Sequence, residues 1–220
     1  MSQKVAFKTQ DNVTIVGDYM LGAPGRVVLL LHMMPLMRSS WEGFVKKLNQ
    51  ADISTLAIDL RGHGESKKKD NKKLDYRDFT DLEHQESIKD VEATLVWLEA
   101  EYGTSPEEIA IVGASIGANL ALQFAAHNHG IPALVLLSPG LDYHGLQTED
   151  LPGDLQINQS VLYVASHDDK YSHESALKLN SVTSVPHDLI ELDKAGHGTE
   201  MFAVHPDLMD QVVEWLKVHF

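Results

Sequence analysis

The stretch IAIVGASIGANLALQFAA, residues 109–126, decides the fold of this chain. It begins with the apolar run Ile109–Val112, which is typical of a strand buried on both faces of a sheet. It ends with Asn119–Ala126, whose composition favours a helix. Gly113 and Gly117 lie between the two runs and predict a sharp turn in which the strand and helix backbones approach closely. A buried strand that leads directly into a helix is a unit of a parallel α/β sheet.

The same alternation of buried strand and amphipathic helix extends over the chain. The predicted inner strands are Val27–Leu31, Thr55–Ile58, Ile109–Val112, Leu134–Leu137, Val161–Val164 and Asp188–Leu192. The predicted helices are Ser40–Asn49, Glu83–Tyr102, Ala118–Ala126, Ser172–Leu179 and Pro206–Phe220. Val5–Thr9 and Val13–Tyr19 alternate apolar with polar residues and predict an antiparallel pair. We therefore expect an α/β fold with a mostly parallel central sheet and helices on both faces.

Length and composition fit one domain over residues 1–220, with no internal repeat or linker to divide it. The formal net charge of −14 disfavours nucleic acid and anionic membranes as partners. The charge is compatible with small neutral or cationic ligands. The sequence does not determine the oligomeric state. Because the N-terminus lacks the apolar core of a signal peptide, we expect a cytoplasmic protein.

The chain contains no cysteine, so it has no disulfide, thiolate metal site or cysteine nucleophile. Its histidines show no i, i+4 pair with an adjacent glutamate, so neither a metal ion nor another cofactor is expected. The run KKKDNKK, Lys67–Lys73, is unusual in an acidic chain. We interpret it as a solvated, mobile loop, and a rim that attracts anionic substrates is the alternative.

Ser115 is the candidate nucleophile because it lies in Gly-Ala-Ser-Ile-Gly between the strand and the helix. The turn would place its hydroxyl at a helix N-terminus, where developing negative charge is favoured. A serine hydroxyl needs a histidine to take its proton, and the histidine needs an acid to orient it. Two partners are therefore expected elsewhere in the chain.

Two carboxylates, Asp168 and Asp169, follow the strand Val161–Val164, and we take Asp168 as the acid. Among 12 histidines, His197 is the candidate base because glycines flank it in a loop before the last helix. His205, at a helix start, is the weaker alternative. The catalytic set predicted from the sequence is therefore Ser115, Asp168 and His197.

An oxyanion formed at Ser115 needs two backbone N–H donors. The expected donors are Ile116, directly after the nucleophile, and Met34 in the loop after Val27–Leu31, with Met33 as the alternative to Met34. The Met33 and Met34 side chains could pack on the core or form the wall of an apolar substrate pocket, and we take Met33 as a substrate-binding residue.

These motifs together resemble the α/β-hydrolase family over nearly the whole chain, from Val27 to the C-terminal helix. The segment Asp59–Ser66 is similar to an Asp-x-Arg-Gly-x-Gly-x-Ser stretch that is structural in the family, which implies that His63 is not catalytic. The acid and histidine loops also match, and the acid loop favours Asp168. The nearest resemblance is to small esterases without a lid and to members like dienelactone hydrolase, which carry cysteine where this chain has Ser115.

One position departs from the family pattern: Met33 replaces the glycine of the common His-Gly pair after the third strand. The resemblance also implies an open site, since the chain between Ser138 and Val161 is too short for a helical lid. The leading hypothesis is a serine hydrolase of short or soluble carboxylic esters. Thioesters or amides are the alternative substrates. The alternative to an enzyme is a non-catalytic ligand receptor on the same fold.

Overall fold

The computed structural model describes residues 2–220, so Met1 of the predicted domain lies outside the described residues. The strands are β1 (Gln3–Lys8), β2 (Val13–Met20), β3 (Val27–Leu31), β4 (Ser54–Ile58), β5 (Lys68–Lys69), β6 (Lys72–Lys73), β7 (Ile109–Ala114), β8 (Ala133–Leu137), β9 (Asp142–Tyr143), β10 (Leu146–Gln147), β11 (Ser160–Ser166) and β12 (His187–Leu192). The helices are α1 (Glu42–Gln50), α2 (Asp81–Gln85), α3 (Ile88–Tyr102), α4 (Ile116–His127), α5 (Lys170–Val182), α6 (Met201–Val204) and α7 (Asp207–His219).

The main sheet has the strand order β12-β11-β8-β7-β3-β4-β2-β5-β6, with β1 paired to β2. The six strands from β12 to β4 run parallel, whereas β1 and β2 form an antiparallel pair. The predicted parallel sheet is thus confirmed, and the N-terminal pair adjoins it through β4. Every residue of the central strands β3, β4, β7 and β8 is buried, as expected of strands covered on both faces.

Two hydrophobic clusters cover the two faces of this sheet. One contains buried residues of α3, α4 and α5, among them Val91, Leu120 and Leu179. The other contains buried residues of α1 and α7, among them Phe44 and Leu216. The helices therefore lie on both faces, as the sequence predicts.

The long helix predicted over Glu83–Tyr102 is two helices. Thr80 starts α2 with a capping box, in which Glu83 accepts a hydrogen bond from the Thr80 N–H at 2.8 Å. α2 ends at Gln85 and α3 begins at Ile88. The apolar positions on which the predicted helix rested, from Ile88 onward, all lie in α3, and residues 83–87 contain none.

The segment Asp59–Ser66 is held by hydrogen bonds to its neighbours. The Asp59 carboxylate accepts two backbone N–H groups at 2.9 and 2.8 Å. The buried Arg61 side chain donates to Asp90 at 2.9 Å through Nε, and Ser66 Oγ accepts the Val16 N–H at 2.8 Å. These contacts bind the loop after β4 to β2 and α3, so the segment is structural, as its sequence pattern implies.

The lysine-rich segment Lys67–Lys73 forms a small hairpin rather than an unstructured loop. β5 and β6 pair with each other, and β5 extends the sheet beside the first residues of β2. Lys69 Nζ lies 2.9 Å from Asp11 Oδ2. The hairpin was missed because lysine runs usually mark solvated loops.

The chain between β8 and β11 contains the β9–β10 hairpin and a single 3-10 turn, Leu151–Asp154. This confirms that the fold has no large lid. None of the helices formed by residues 2–220 is long and apolar enough to span a bilayer.

A close backbone crossing between α4 and β3 positions the turn after β7. A Cβ added to Gly117 would lie 2.3 Å from the Leu31 carbonyl oxygen and 2.9 Å from that of His32. Both atoms belong to the backbone at the end of a central strand, so they cannot move aside cheaply. Only glycine fits at position 117.

We expect Gly117→Ala to lower the free energy of unfolding by about 2–4 kcal/mol, because the added methyl group must displace backbone. Gly153→Ala is the matched control, since a Cβ at Gly153 has no neighbour within 4 Å. The control should change the free energy of unfolding by less than about 0.5 kcal/mol. Urea denaturation of both variants measures the difference, and equal effects would contradict the crossing.

Candidate active site

Ser115 occupies a strained turn between β7 and α4. Its backbone has φ 54° and ψ −119°, a conformation that costs a non-glycine residue about 1–3 kcal/mol. A Cβ on Gly113 would lie 2.2 Å from the Gly117 carbonyl oxygen, so the turn requires glycine there too. The serine follows the last residue of the strand and precedes the first of the helix. The structure thus forms the turn predicted from the pentapeptide.

His197 forms a hydrogen bond with Asp169 across the C-terminal edge of the sheet. Its Nδ1 lies 2.5 Å from Asp169 Oδ2. Burial acts to raise the pKa of Asp169, but the hydrogen bonds from His197 and Ser172 outweigh it and hold that pKa below its usual range. Asp169 is therefore a carboxylate that can orient the imidazole and stabilise its charged form.

The structure places Asp169, and not the predicted acid Asp168, against the ring of His197. The exposed Asp168 carboxylate accepts a hydrogen bond from the Ser166 hydroxyl, which lowers the pKa of Asp168. Backbone groups of Gly196 and Ala195 also lower it. Asp168 thus bonds to the Ser166 hydroxyl, which itself accepts the Ala195 N–H at 2.9 Å, whereas Asp169 contacts the imidazole ring. The two carboxylates are adjacent in the chain, and the sequence alone does not show which of them turns toward His197.

The histidine loop lies against the turn that carries Ser115. The residue after His197 is Gly198, whose N–H donates to Ser138 Oγ at 2.9 Å. A Cβ on Gly198 would be 3.4 Å from the Ala114 Cβ, directly before Ser115. The structure therefore brings together Ser115, Asp169 and His197, from the ends of β7, β11 and β12.

Tyr143 and Ser172 complete the site and were not found from the sequence. The Tyr143 hydroxyl lies 2.8 Å from Ser172 Oγ, which is 3.4 Å from His197 Nδ1. Burial raises the pKa of Tyr143 to about 12, although hydrogen bonds with Ser172 and Ser115 lower it. Tyr143 therefore stays protonated at neutral pH and can donate a hydrogen bond. Tyr143 lies on the short strand β9, and the sequence around it contains no motif that marks it as a site residue.

The candidate oxyanion donors lie at the start of α4 and in the loop after β3. Ile116 is the first residue of α4, where N–H groups have no intrahelical acceptor. Met34 is partly buried and packs on the core below α4. Both backbone positions are compatible with the expected roles, which stay predictions.

The Met33 side chain has a different role from the expected substrate contact. It is only 4% exposed, and its Sδ lies 3.9 Å from Thr199 Oγ1. A Cβ on Gly198 would come within 2.4 Å of the same sulfur. Met33 therefore packs beneath the histidine loop and supports it, instead of forming the wall of a pocket.

The other histidines near this edge lie outside the hydrogen-bonded set. Burial lowers the pKa of His63 to about 3, and the ring stacks on Tyr76 with centroids 3.9 Å apart. His205 Nε2 lies 3.3 Å from the Asp193 carbonyl oxygen. Burial also lowers the pKa of His32 to about 4, and its Nε2 accepts the Leu60 N–H at 3.0 Å. These contacts give His32 and His63 structural roles.

Comparison with known families gives a match to the α/β hydrolase fold over residues 26–156, more than half of the chain. Protein phosphatase methylesterase 1 of Mus musculus is 34% identical over 118 residues, which are 53% of this chain and 28% of that protein. The AB hydrolase superfamily protein YisY of Bacillus subtilis is 24% identical over 161 residues, which are 68% of this chain and 53% of that protein. The chain thus spans about a quarter of the length of the methylesterase.

Solved structures of esterases share the whole architecture. The Pyrococcus furiosus esterase Pf2001 superposes with a TM-score of 0.78 at 18% identity, over 100% of this chain and 91% of its own. Est1E from Butyrivibrio proteoclasticus, solved with ferulic acid, gives a TM-score of 0.78 at 16% identity, over 98% of each chain. At these identities the likeness shows the fold alone.

Substitution of Asp169 and substitution of Asp168 should change the reactivity of Ser115 to very different extents. Asp169→Asn should lower the rate constant for Ser115 labelling by a fluorophosphonate roughly 10³–10⁴-fold, because His197 loses its orienting carboxylate. Asp168→Asn is the matched control and should change that rate constant less than about tenfold. Time courses of labelling, read by mass spectrometry of the intact protein, give both values. A larger loss of the labelling rate in Asp168→Asn than in Asp169→Asn would show that Asp168 is the acid.

Proposed function

Because the chain belongs to the α/β-hydrolase fold family, we propose that it is a serine hydrolase that cleaves carboxylic esters through an acyl-enzyme. The observation that supports this most strongly is the 2.5 Å contact of His197 Nδ1 with Asp169, beside the strained turn of Ser115. A nucleophile on a strained turn, a base and an orienting carboxylate are the parts that acyl transfer needs.

In the proposed reaction, Ser115 Oγ attacks the ester carbonyl while His197 Nε2 takes the hydroxyl proton. Asp169 holds Nδ1–H, so that the Nε2 lone pair faces the serine, and stabilises the imidazolium that forms. His197 then gives the proton to the leaving alcohol, and the C–O bond breaks. Water, deprotonated by His197, attacks the acyl-enzyme and releases the acid and free Ser115.

The tetrahedral intermediates carry negative charge on the former carbonyl oxygen. The proposed donors to this oxygen are the backbone N–H groups of Ile116 and Met34. The N-terminal position of α4 supports this assignment, because the helix dipole favours negative charge there. Met33 is the alternative donor to Met34 in this loop.

The proposed substrates are small or soluble esters. The fold has no large lid, and the short β9–β10 hairpin brings Tyr143 to one side of the site. The net charge of −14 favours neutral or cationic substrates over anionic ones. The similarity to protein phosphatase methylesterase 1 makes esters of small alcohols the first class to test. A thioester or amide substrate would use the same catalytic set and differs only in the leaving group.

We expect Ser115→Ala to lower kcat for p-nitrophenyl acetate roughly 10⁴–10⁶-fold, because the acyl-enzyme can no longer form. The free energy of unfolding should stay close to that of the wild type or rise slightly. Replacing the nucleophile removes its hydroxyl and leaves the backbone turn in place. Steady-state kinetics and urea denaturation measure the two quantities.

Ser181→Ala is the matched control, since Ser181 is an exposed serine on α5. It should keep wild-type kcat. Turnover retained in the Ser115 variant would refute the nucleophile. A wild-type protein that neither hydrolyses p-nitrophenyl esters of any chain length nor is labelled by a fluorophosphonate would favour a ligand receptor. The kcat/KM values for an ester and a thioester with the same acyl group then show which leaving group the protein prefers.

A further inference from the structure

Three potential metal ligands from separate elements meet at the edge of the sheet beside β12. His167 follows β11, His173 lies on α5, and Glu191 lies on β12. One ligand atom from each residue lies within 4.8 Å of the other two. The Glu191 carboxylate oxygen Oε2 is 3.2 Å from His167 Nε2 and 2.6 Å from His173 Nε2. The three side chains therefore converge on one point.

A fourth residue holds the His167 ring in the orientation that a metal ligand needs. Nδ1 of His167 lies 2.7 Å from Asp193 Oδ1, on the opposite side of the ring from Glu191. In metal sites, a ligating histidine commonly donates its second N–H to a carboxylate, which fixes its tautomer and orientation. With Nδ1–H donated to Asp193, the Nε2 lone pair of His167 points toward Glu191 and His173.

We propose that His167, His173 and Glu191 bind a Zn²⁺ ion, with Asp193 as the outer hydrogen-bond partner. Two imidazoles and one carboxylate suit zinc and similar first-row transition ions, whereas Mg²⁺ and Ca²⁺ prefer sites made wholly of oxygen. Tetrahedral Zn²⁺ with bonds of about 2.0–2.1 Å places its ligand atoms roughly 3.3 Å apart. The Glu191–His167 spacing of 3.2 Å already fits, and the Glu191–His173 spacing of 2.6 Å must widen by less than about 1 Å. Water would complete the coordination.

The ion would link the two loops that carry Asp169 and His197. His167 lies two residues before Asp169, and β12, which carries Glu191, leads into the histidine loop. β12 is the last strand of the sheet and pairs with β11 alone. A metal bound across this edge would therefore act as a structural clamp, outside the reacting groups. Zinc binding itself does not depend on the proposed hydrolysis.

Isothermal titration calorimetry of the chelator-treated full chain with ZnCl₂ tests the site. Wild-type protein should bind one Zn²⁺ with a raised melting temperature, and Ca²⁺ and Mg²⁺ should not compete. Asp193→Asn should weaken the affinity roughly 10–100-fold, as changes to outer-shell partners do. His173→Ala and Glu191→Gln, which remove ligands, should weaken it at least as much and abolish the shift in melting temperature.

His187→Ala is the matched control, because His187 is an exposed histidine on the same strand and lies outside the cluster. It should keep wild-type affinity. Equal zinc affinity in wild type, His173→Ala and Glu191→Gln would overturn the proposal, because the ion would then be held by other groups among the 12 histidines. Absence of binding to the wild type would also overturn it. The same titration of the Ser115→Ala protein separates this test from that of hydrolysis, since zinc affinity should persist in a protein without turnover.

Discussion

The contact of Gly117 with the Leu31 carbonyl oxygen is the constraint on which the site depends. A Cβ at Gly117 would lie 2.3 Å from that oxygen, so α4 crosses the end of β3 too closely for any residue other than glycine. This crossing leaves no room for a gradual turn between β7 and α4. Ser115 is consequently forced into its φ of 54°, and the backbone strain presents its side chain at the helix N-terminus.

The same crossing places the loop after β3 beside Ser115. Because β3 and β7 are parallel neighbours, their C-terminal ends meet, and the residues after Leu31 lie next to the start of α4. Met33 then fills the space under Gly198, so the loop after β3 also supports the loop that carries His197. A glycine at position 33 would leave that space unfilled.

Much of the fold was predictable because buried parallel strands and their helices have strong composition signals. The inner strands matched their predicted runs within about two residues, the usual uncertainty of element ends. Side-chain direction within a loop has no such signal. Asp168 and Asp169 are adjacent and chemically identical, and only the path of the loop decides that Asp169 contacts His197. The sequence also did not reveal Tyr143. Its strand, β9, has only two residues, which are too few to show a periodic pattern.

The loops that carry Asp169 and His197 meet beside the edge strand β12. This position explains why several polar contacts occur there. Every residue of β12 is exposed or only partly buried, so hydrophobic packing supplies little to hold the loop that follows it. The Ala195 N–H instead donates to Ser166 Oγ at 2.9 Å, and the Ser166 hydroxyl in turn donates to Asp168. Directional hydrogen bonds can fix the position and orientation of an imidazole, which nondirectional burial at a partly exposed edge cannot. The two adjacent aspartates therefore make separate contacts, since Asp168 accepts a hydrogen bond from the Ser166 hydroxyl and Asp169 contacts the ring of His197.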